Sequence, residues 1–314
     1  MAKMEIRVAY GEALKELGGL NPKVVALDAD VGSSSKSIVF GKEYPERYFN
    51  VGIAELNMIA MAAGMSTSGL IPFVNTFATF LVLRGGDAIH SLIGYDNLNV
   101  KLAGAYAGMT DSYDGASHHA IGDISQMSVI PNMTIISVCD GIQTKKAVFA
   151  AAGHNGPVYL RLSRAATEII YDENFDFQIG KGIQLTKGND VTIVATGYMV
   201  QKSLTAAELL KNEGIEARVV DIHTIKPIDE ALLAICARET GAVVTVEEHS
   251  VMNGFGAAVC QSLAGTYPVP VELVGIQDTF TESGAYEKLL DKYGLSPENI
   301  AAKAKKAVMR KKSV

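Results

Sequence analysis

The chain has 314 residues, twice the ~150 residues of a typical domain, so it has room for two domains with real cores. Hydrophobic residues make up 48% and charged residues 20%, with no Trp; this balance excludes general disorder and describes a globular protein rich in alanine and glycine. A formal charge of −6 exerts no long-range pull on phosphate backbones, which argues against nucleic acid as a partner. Cys139, Cys236 and Cys260 lie far apart with no CxxC pair, as expected of a reduced, cytoplasmic protein without disulfides or structural zinc. No signal-peptide pattern and no apolar run of ~18 residues predicts membrane entry.

In chain order, short β-branched runs alternate with alanine-rich stretches. Val24–Leu27, Thr134–Val138 and Val158–Leu162 read as buried parallel strands, and the helices between them are predicted at Arg7–Leu17, Ala54–Ser66, Gly86–Ile93 and Thr144–Ala152. An acidic, glycine-containing stretch reads as a linker with a small hairpin, giving domains over 1–168 and 191–314 around a linker at 169–190. Beyond it, Val191–Gly197 is a strand ending in glycine and Val200–Glu213 a helix. "EARVVDIHTIKPID" then supplies a strand and a proline turn, and "AVVTVEEHS" a further strand before a helix opened by Gly254-x-Gly256. The fold class is α/β, with two doubly wound domains. The basic terminal stretch from Lys303 to Lys312 reads as a solvated helix or tail.

Four features could carry chemistry. Gly254-x-Gly256 could cradle a diphosphate on helix amides, but the acidic Glu247 and Glu248 just before it favour a tight packing turn. Glu55 opens an otherwise apolar helix. Among Ala54, Met58, Ile59 and Ala62 it has little polar company, so burial would favour its protonated, proton-donating form, whereas an exposed glutamate there would merely complement the helix dipole. The loop "AGMTDSYDGASHHAIGDI" gathers Asp111, Asp114, His118, His119 and Asp123 beside glycines, a density suited to acid/base chemistry on a small polyol; adjacent histidines point different ways, which disfavours a metal site. Phe77 and Phe80, three apart, share one helix face and suit either a planar ring or the core.

The segments "NVGIAELNM", "NTFATF", "DGASHH", "LRLSR" and "EEHSVMNGFG" occur in an order that resembles the C-terminal half of transketolase, a pyrimidine-binding domain followed by the transketolase C-terminal domain, over essentially the whole chain. The resemblance implies that Glu55 contacts N1′ of the aminopyrimidine of thiamine diphosphate, favouring the 4′-imino tautomer whose nitrogen takes the proton from thiazolium C2. It also implies that Phe77 and Phe80 stack on the pyrimidine, although Leu83 stands where a tyrosine is expected. His118 matches the histidine that binds the ketose near C1 and C2, with Ser117 replacing threonine and His119 in a glutamine position. Asp114 matches the aspartate that reads a substrate hydroxyl, while Arg7, Ser34 and Arg164 fall at the mouth of the channel for sugar phosphates. In "MTDS" a phosphate-contacting histidine is missing.

No GDG segment occurs, and in this family that segment holds the divalent ion of the cofactor. The resemblance therefore implies half of a cofactor site: a split transketolase in which a separate N-terminal subunit carries the diphosphate and its Mg or Ca ion, assembled as α2β2. Alternative readings are a deoxyxylulose-phosphate-synthase-like or 2-oxo-acid dehydrogenase beta-type subunit, or a non-catalytic scaffolding subunit. Glu55 and His118 argue against the last.

Overall fold

The computed structural model describes residues 3–311; Lys312, the last of the predicted basic cluster, lies outside them. The chain builds an α/β molecule around two sheets. The larger has seven strands in the spatial order Thr224–Lys226, Thr134–Ser137, Val158–Leu162, Lys101–Ala105, Ile71–Phe77, Val24–Asp28 and Tyr48–Asn50. All neighbours are parallel except the first pair. Every residue of Val24–Asp28, Lys101–Ala105 and Val158–Leu162 is buried, as expected of strands covered by helices on both faces. The helix Ile6–Leu20 shows how: Ile6, Tyr10, Ala13, Leu14 and Leu17 form one buried stripe at helical spacing.

The second sheet orders Val271–Ile276, Val243–Ser250, Val191–Ala195, Ala217–Asp221 and the short antiparallel Ile183–Gln184. Two expectations need correction here. The predicted linker hairpin does not form, because Ile183–Gln184 pairs with Ala217–Asp221 instead. The stretch "EARVVDIHTIKPID" is also divided. Ala217–Asp221 stays in the second sheet, while Thr224–Lys226 crosses over to edge the first. One apolar cluster accordingly runs from Met133 and Ile135 through Ile225 and Ile222 to Val220 and Leu233, so the two halves share a core.

The helix predicted from Gly86 starts earlier, at Ala78, and continues past Ala88 as a π-helix from Ile89 to Gly94. Of the two alternatives for the terminal basic stretch the structure shows the helix, with one face buried instead of solvated all round. Pro297–Lys311 is a helix that buries Ile300, Ala301, Ala304 and Ala307, and its Lys306 and Arg310 reach the buried Glu272 at 3.0 and 2.9 Å. None of the described helices is long and apolar enough to cross a membrane.

Candidate active site

Five parallel strands of the large sheet end along one edge, and the candidate residues sit on the segments that leave those ends, the usual ligand-binding edge of an open α/β sheet. Val24–Asp28 leads to Ser34, Tyr48–Asn50 to Glu55, Ile71–Phe77 to the phenylalanine pair, Lys101–Ala105 to the loop carrying Asp111, Asp114 and His118, and Val158–Leu162 to Arg164.

Glu55 is the first residue of the helix Glu55–Thr67 and is buried. It is not isolated, contrary to the sequence expectation: Arg84 Nη1 lies 2.7 Å from its Oε1. The same guanidinium lies over Phe80, its Cζ 3.9 Å from the ring centroid. A planar cation on the ring plane and a carboxylate at its edge are a favourable combination for guanidinium. The Phe77 and Phe80 centroids are 5.7 Å apart, and His118 meets Phe80 edge-on at 5.0 Å. Glu55, Arg84, Phe80, Phe77 and His118 therefore form an unbroken surface.

On the other side of Phe77 stands Tyr106, 4.5 Å away between centroids. Its φ of +59° turns the chain sharply at the strand end. Arg7 donates to the Tyr106 hydroxyl at 2.6 Å and to the carbonyl of Ser34 at 3.3 Å, and Arg164 lies over the same ring at 5.0 Å. Arg7, Ser34 and Arg164, 157 positions apart at the extremes (164 − 7), are thus gathered around one phenol. Sequence reasoning missed Tyr106 and Arg84. The only signal for Tyr106 is its place at the end of the run "KLAGA", and Arg84 stood one residue past the Leu83 that drew attention.

Arg164 also donates to Asp111 Oδ1 at 3.0 Å. Asp111 is buried, and that burial together with the nearby Asp114 pushes its carboxyl above the usual carboxylate range, against the pull of Arg164 and His118. One ligand atom from each of Asp111, Asp114 and His118 falls within a common 4.8 Å, so the three groups can converge on one polyol. The adjacent histidines diverge: His118 faces Phe80, whereas His119 is buried and pairs with Thr281 of the second domain.

The glycines at the start of the helix Phe255–Gly265 form no phosphate cradle. Glu247 fills it, its carboxylate accepting the amides of Phe255 at 2.6 Å and Gly256 at 2.8 Å. A Cβ on Gly254 would run into the same carboxylate, so the tight packing turn is the correct reading.

Comparison with known proteins agrees with this geometry. Residues 2–169 match the family described as the transketolase pyrimidine binding domain, and residues 180–300 match the transketolase C-terminal domain. A putative transketolase C-terminal section from Methanocaldococcus jannaschii is 45% identical over 299 residues, covering 94% of both chains. A 6-deoxy-6-sulfo-D-fructose transketolase subunit from Clostridium sp. is 40% identical, covering 98% of this chain and 95% of that one. Among solved structures, a split gene transketolase described as an inactive beta4 tetramer superposes with a TM-score of 0.91 at 48% identity, over 99% of this chain and 100% of that one. The edge of the large sheet thus carries its candidate residues on a pyrimidine-binding-domain framework, and the chain belongs to the transketolase family.

Proposed function

We propose that this chain is the pyrimidine-side subunit of a two-chain, thiamine-diphosphate-dependent transketolase that moves a two-carbon ketol unit from a ketose phosphate to an aldose phosphate. The observation that carries the reading is the continuous surface from Glu55 through Arg84 and Phe80 to His118. Its residues fit an aminopyrimidine: Arg84, a flat nitrogen-bearing group, is already held by one aromatic face and one buried carboxylate. When bound, thiamine diphosphate supplies a carbon nucleophile for the ketol carbonyl.

The chain's own residues then divide the work. The Glu55 carboxyl meets the pyrimidine edge, and Phe77 and Phe80 orient the ring by stacking. His118 and Asp114 bind the ketose hydroxyls and set its configuration. Arg7 and Arg164, with the Ser34 segment, hold the phosphate end; their side chains donate only, as phosphate requires. Thr110 stands in "MTDS" where the resemblance led us to expect a further phosphate ligand, and it uses its hydroxyl internally, donating to the carbonyl of Ala107 at 2.7 Å. Phosphate binding in this chain therefore falls to the arginines.

A separate N-terminal subunit provides the diphosphate and Mg or Ca site, and the complete enzyme is α2β2. Two observations support a partner. Ile53, Leu56 and Leu83, beside Glu55 and Phe80, are exposed by 76%, 50% and 67%, an apolar rim suited to an interface. The similar solved structure contains a single type of chain and is described as inactive.

The test is to purify the chain alone and after co-expression with the diphosphate-half subunit of the same genome, then assay ketol transfer and calorimetric binding of thiamine diphosphate with Mg. Transfer and tight cofactor binding are expected only in the complex. Micromolar cofactor binding by the single chain, or a stable complex with no transfer, would overturn the reading, the latter in favour of a scaffolding subunit.

A further inference from the structure

The segment 106–122, which carries Asp111, Asp114 and His118, is bonded to its own domain through Leu162, Arg161 and Arg164 and, on its other side, to the second domain. Glu248 Oε1 accepts the Met109 amide at 2.7 Å, the Ser250 amide donates to the Ile121 carbonyl at 2.9 Å, and the Gly284 amide donates to the Ser112 carbonyl at 2.9 Å. Clearance is minimal at both glycine turns. At Gly108 (φ +68°) a Cβ would strike the Glu248 carboxylate, and at Gly115 (φ +76°) it would lie 2.5 Å from Ser283 Oγ.

His119 sits at the centre of this contact, nearly fully buried. Its Nε2 is 3.1 Å from the carbonyl oxygen of Asp111 and its Nδ1 is 2.7 Å from Thr281 Oγ1. A carbonyl only accepts, so Nε2 carries the hydrogen. Burial lowers the pKa of the ring and favours the neutral form, in which Nδ1 accepts the Thr281 hydroxyl hydrogen. The contact is a directed relay, from the Thr281 hydroxyl through the imidazole to the main chain of Asp111. The residue it fixes at its far end carries the carboxylate that pairs with Arg164 and clusters with Asp114 and His118.

We propose that His119 and Thr281 are positioning residues for ketol transfer: the second domain sets the geometry of the substrate loop by fixing the Asp111 main chain through this relay. The inference rests on the proposed function for its kinetic arm. The relay ends on the main chain of Asp111 and not on Glu55, Phe77 or Phe80, so it acts on the ketose and not on the cofactor. A glutamine at 119 carries one donor and one acceptor with similar reach, and a serine at 281 keeps the hydroxyl.

The experiment uses the two-chain complex with His119→Ala, His119→Gln, Thr281→Val, Thr281→Ser and the double variant His119→Ala/Thr281→Val. Losing a buried hydrogen bond that orients substrate ligands should lower kcat/KM for the ketose donor about ten-fold in His119→Ala and Thr281→Val. The double variant should be no worse than His119→Ala alone, because both cut one relay. His119→Gln and Thr281→Ser should recover most of the loss, and calorimetric affinity for thiamine diphosphate should stay within about two-fold of wild type. Hydrogen exchange at the Asp114 and His118 amides, which bond to the carbonyls of Asp111 and Gly115, should quicken in the alanine and valine variants.

Unchanged kcat/KM with unchanged exchange would overturn the proposal. So would additive losses, or a fall in cofactor affinity matching the kinetic loss. A wild-type complex without ketol transfer would remove the proposed function instead, and the exchange measurement would then decide the relay by itself.

Discussion

Arg164→Ala separates a phosphate ligand from a structural ion pair. The substitution removes a guanidinium 3.0 Å from Asp111 Oδ1 and over the Tyr106 ring. The structural part is small: the Arg164 side chain is 44% exposed, and a pair open to water on one side contributes about 0–1 kcal/mol. The functional part is larger, because a charge-assisted contact to a phosphate is worth ~1.5–3 kcal/mol, or about ten-fold to a hundred-fold in apparent affinity. KM for a phosphorylated donor should rise by that factor in the reconstituted complex. An unphosphorylated ketose of the same configuration should change by less than about five-fold, the ceiling set by the ion pair. Most of the effect belongs in KM, since a remote phosphate is held in both ground and transition states. Asp111→Asn provides the control. It weakens the same ion pair while leaving the guanidinium available to phosphate, so its KM ratio between the two substrates should stay near wild type. Equal losses for both substrates in Arg164→Ala would show that the arginine only props up the Asp111 loop.

Glu55→Gln should keep its fold, because the amide oxygen can still accept from Arg84, yet lose ketol transfer by a factor on the order of 10² or more, as on removal of a general acid/base; wild-type turnover with an unchanged melting temperature would show that the cofactor lies elsewhere. Gly254→Ala should destabilise the chain by ~1–3 kcal/mol in urea unfolding, typical of overpacking, because its Cβ would meet His249 Nδ1 and the Ser250 carbonyl oxygen, both at 2.6 Å; an unchanged midpoint would refute the packing-turn reading. Burial pushes Glu248 up from 4.5 to about 7, so between those values the folded chain keeps a proton that the unfolded chain has released. The contribution of Glu248 to stability therefore falls as pH rises through that window, by on the order of 3 kcal/mol. The wild-type-minus-Glu248→Gln stability difference should decline from pH 5 to pH 8, and a flat difference would contradict it.

Much of the large sheet was legible because its strands are buried on both faces and read as continuous apolar runs, with alanine-rich amphipathic helices between them. The helix predicted over 54–66 forms at Glu55–Thr67, and that over 200–213 at Met199–Asn212. The side chains singled out in the sequence for the candidate site do lie together in the structure. What could not be read were partners fixed by tertiary distance. Arg84 reaches back 29 residues to Glu55, and nothing in the apolar neighbourhood of Glu55 announces it. His119 finds Thr281 162 positions later. Gly254-x-Gly256 shows the converse: the motif that suits a phosphate also suits a carboxylate from the chain itself, and only the fold brings Glu247 to those amides.

The crossing of Thr224–Lys226 gives these distant partners their stiffness. Its Lys226 Nζ donates to the carbonyls of Ser128 and Ile130 at 2.8 and 2.6 Å, so the second half of the chain edges the first sheet close to the helix Asp123–Ser128 that follows the segment 106–122. Arg161, on a central strand of that sheet, binds Asp123 at 2.7 Å and donates to the Glu248 carbonyl at 2.9 Å, joining the sheet, the loop end and the second domain in one buried group. A hinge between the two halves would have to break this edge, the shared apolar core and the buried hydrogen bond from Arg161 to the Glu248 carbonyl together, which is too costly for a motion during turnover. The second domain therefore acts on the candidate site as a fixed wall, and substitutions on its face toward 106–122 should alter the placement of Asp111, Asp114 and His118 without opening or closing anything.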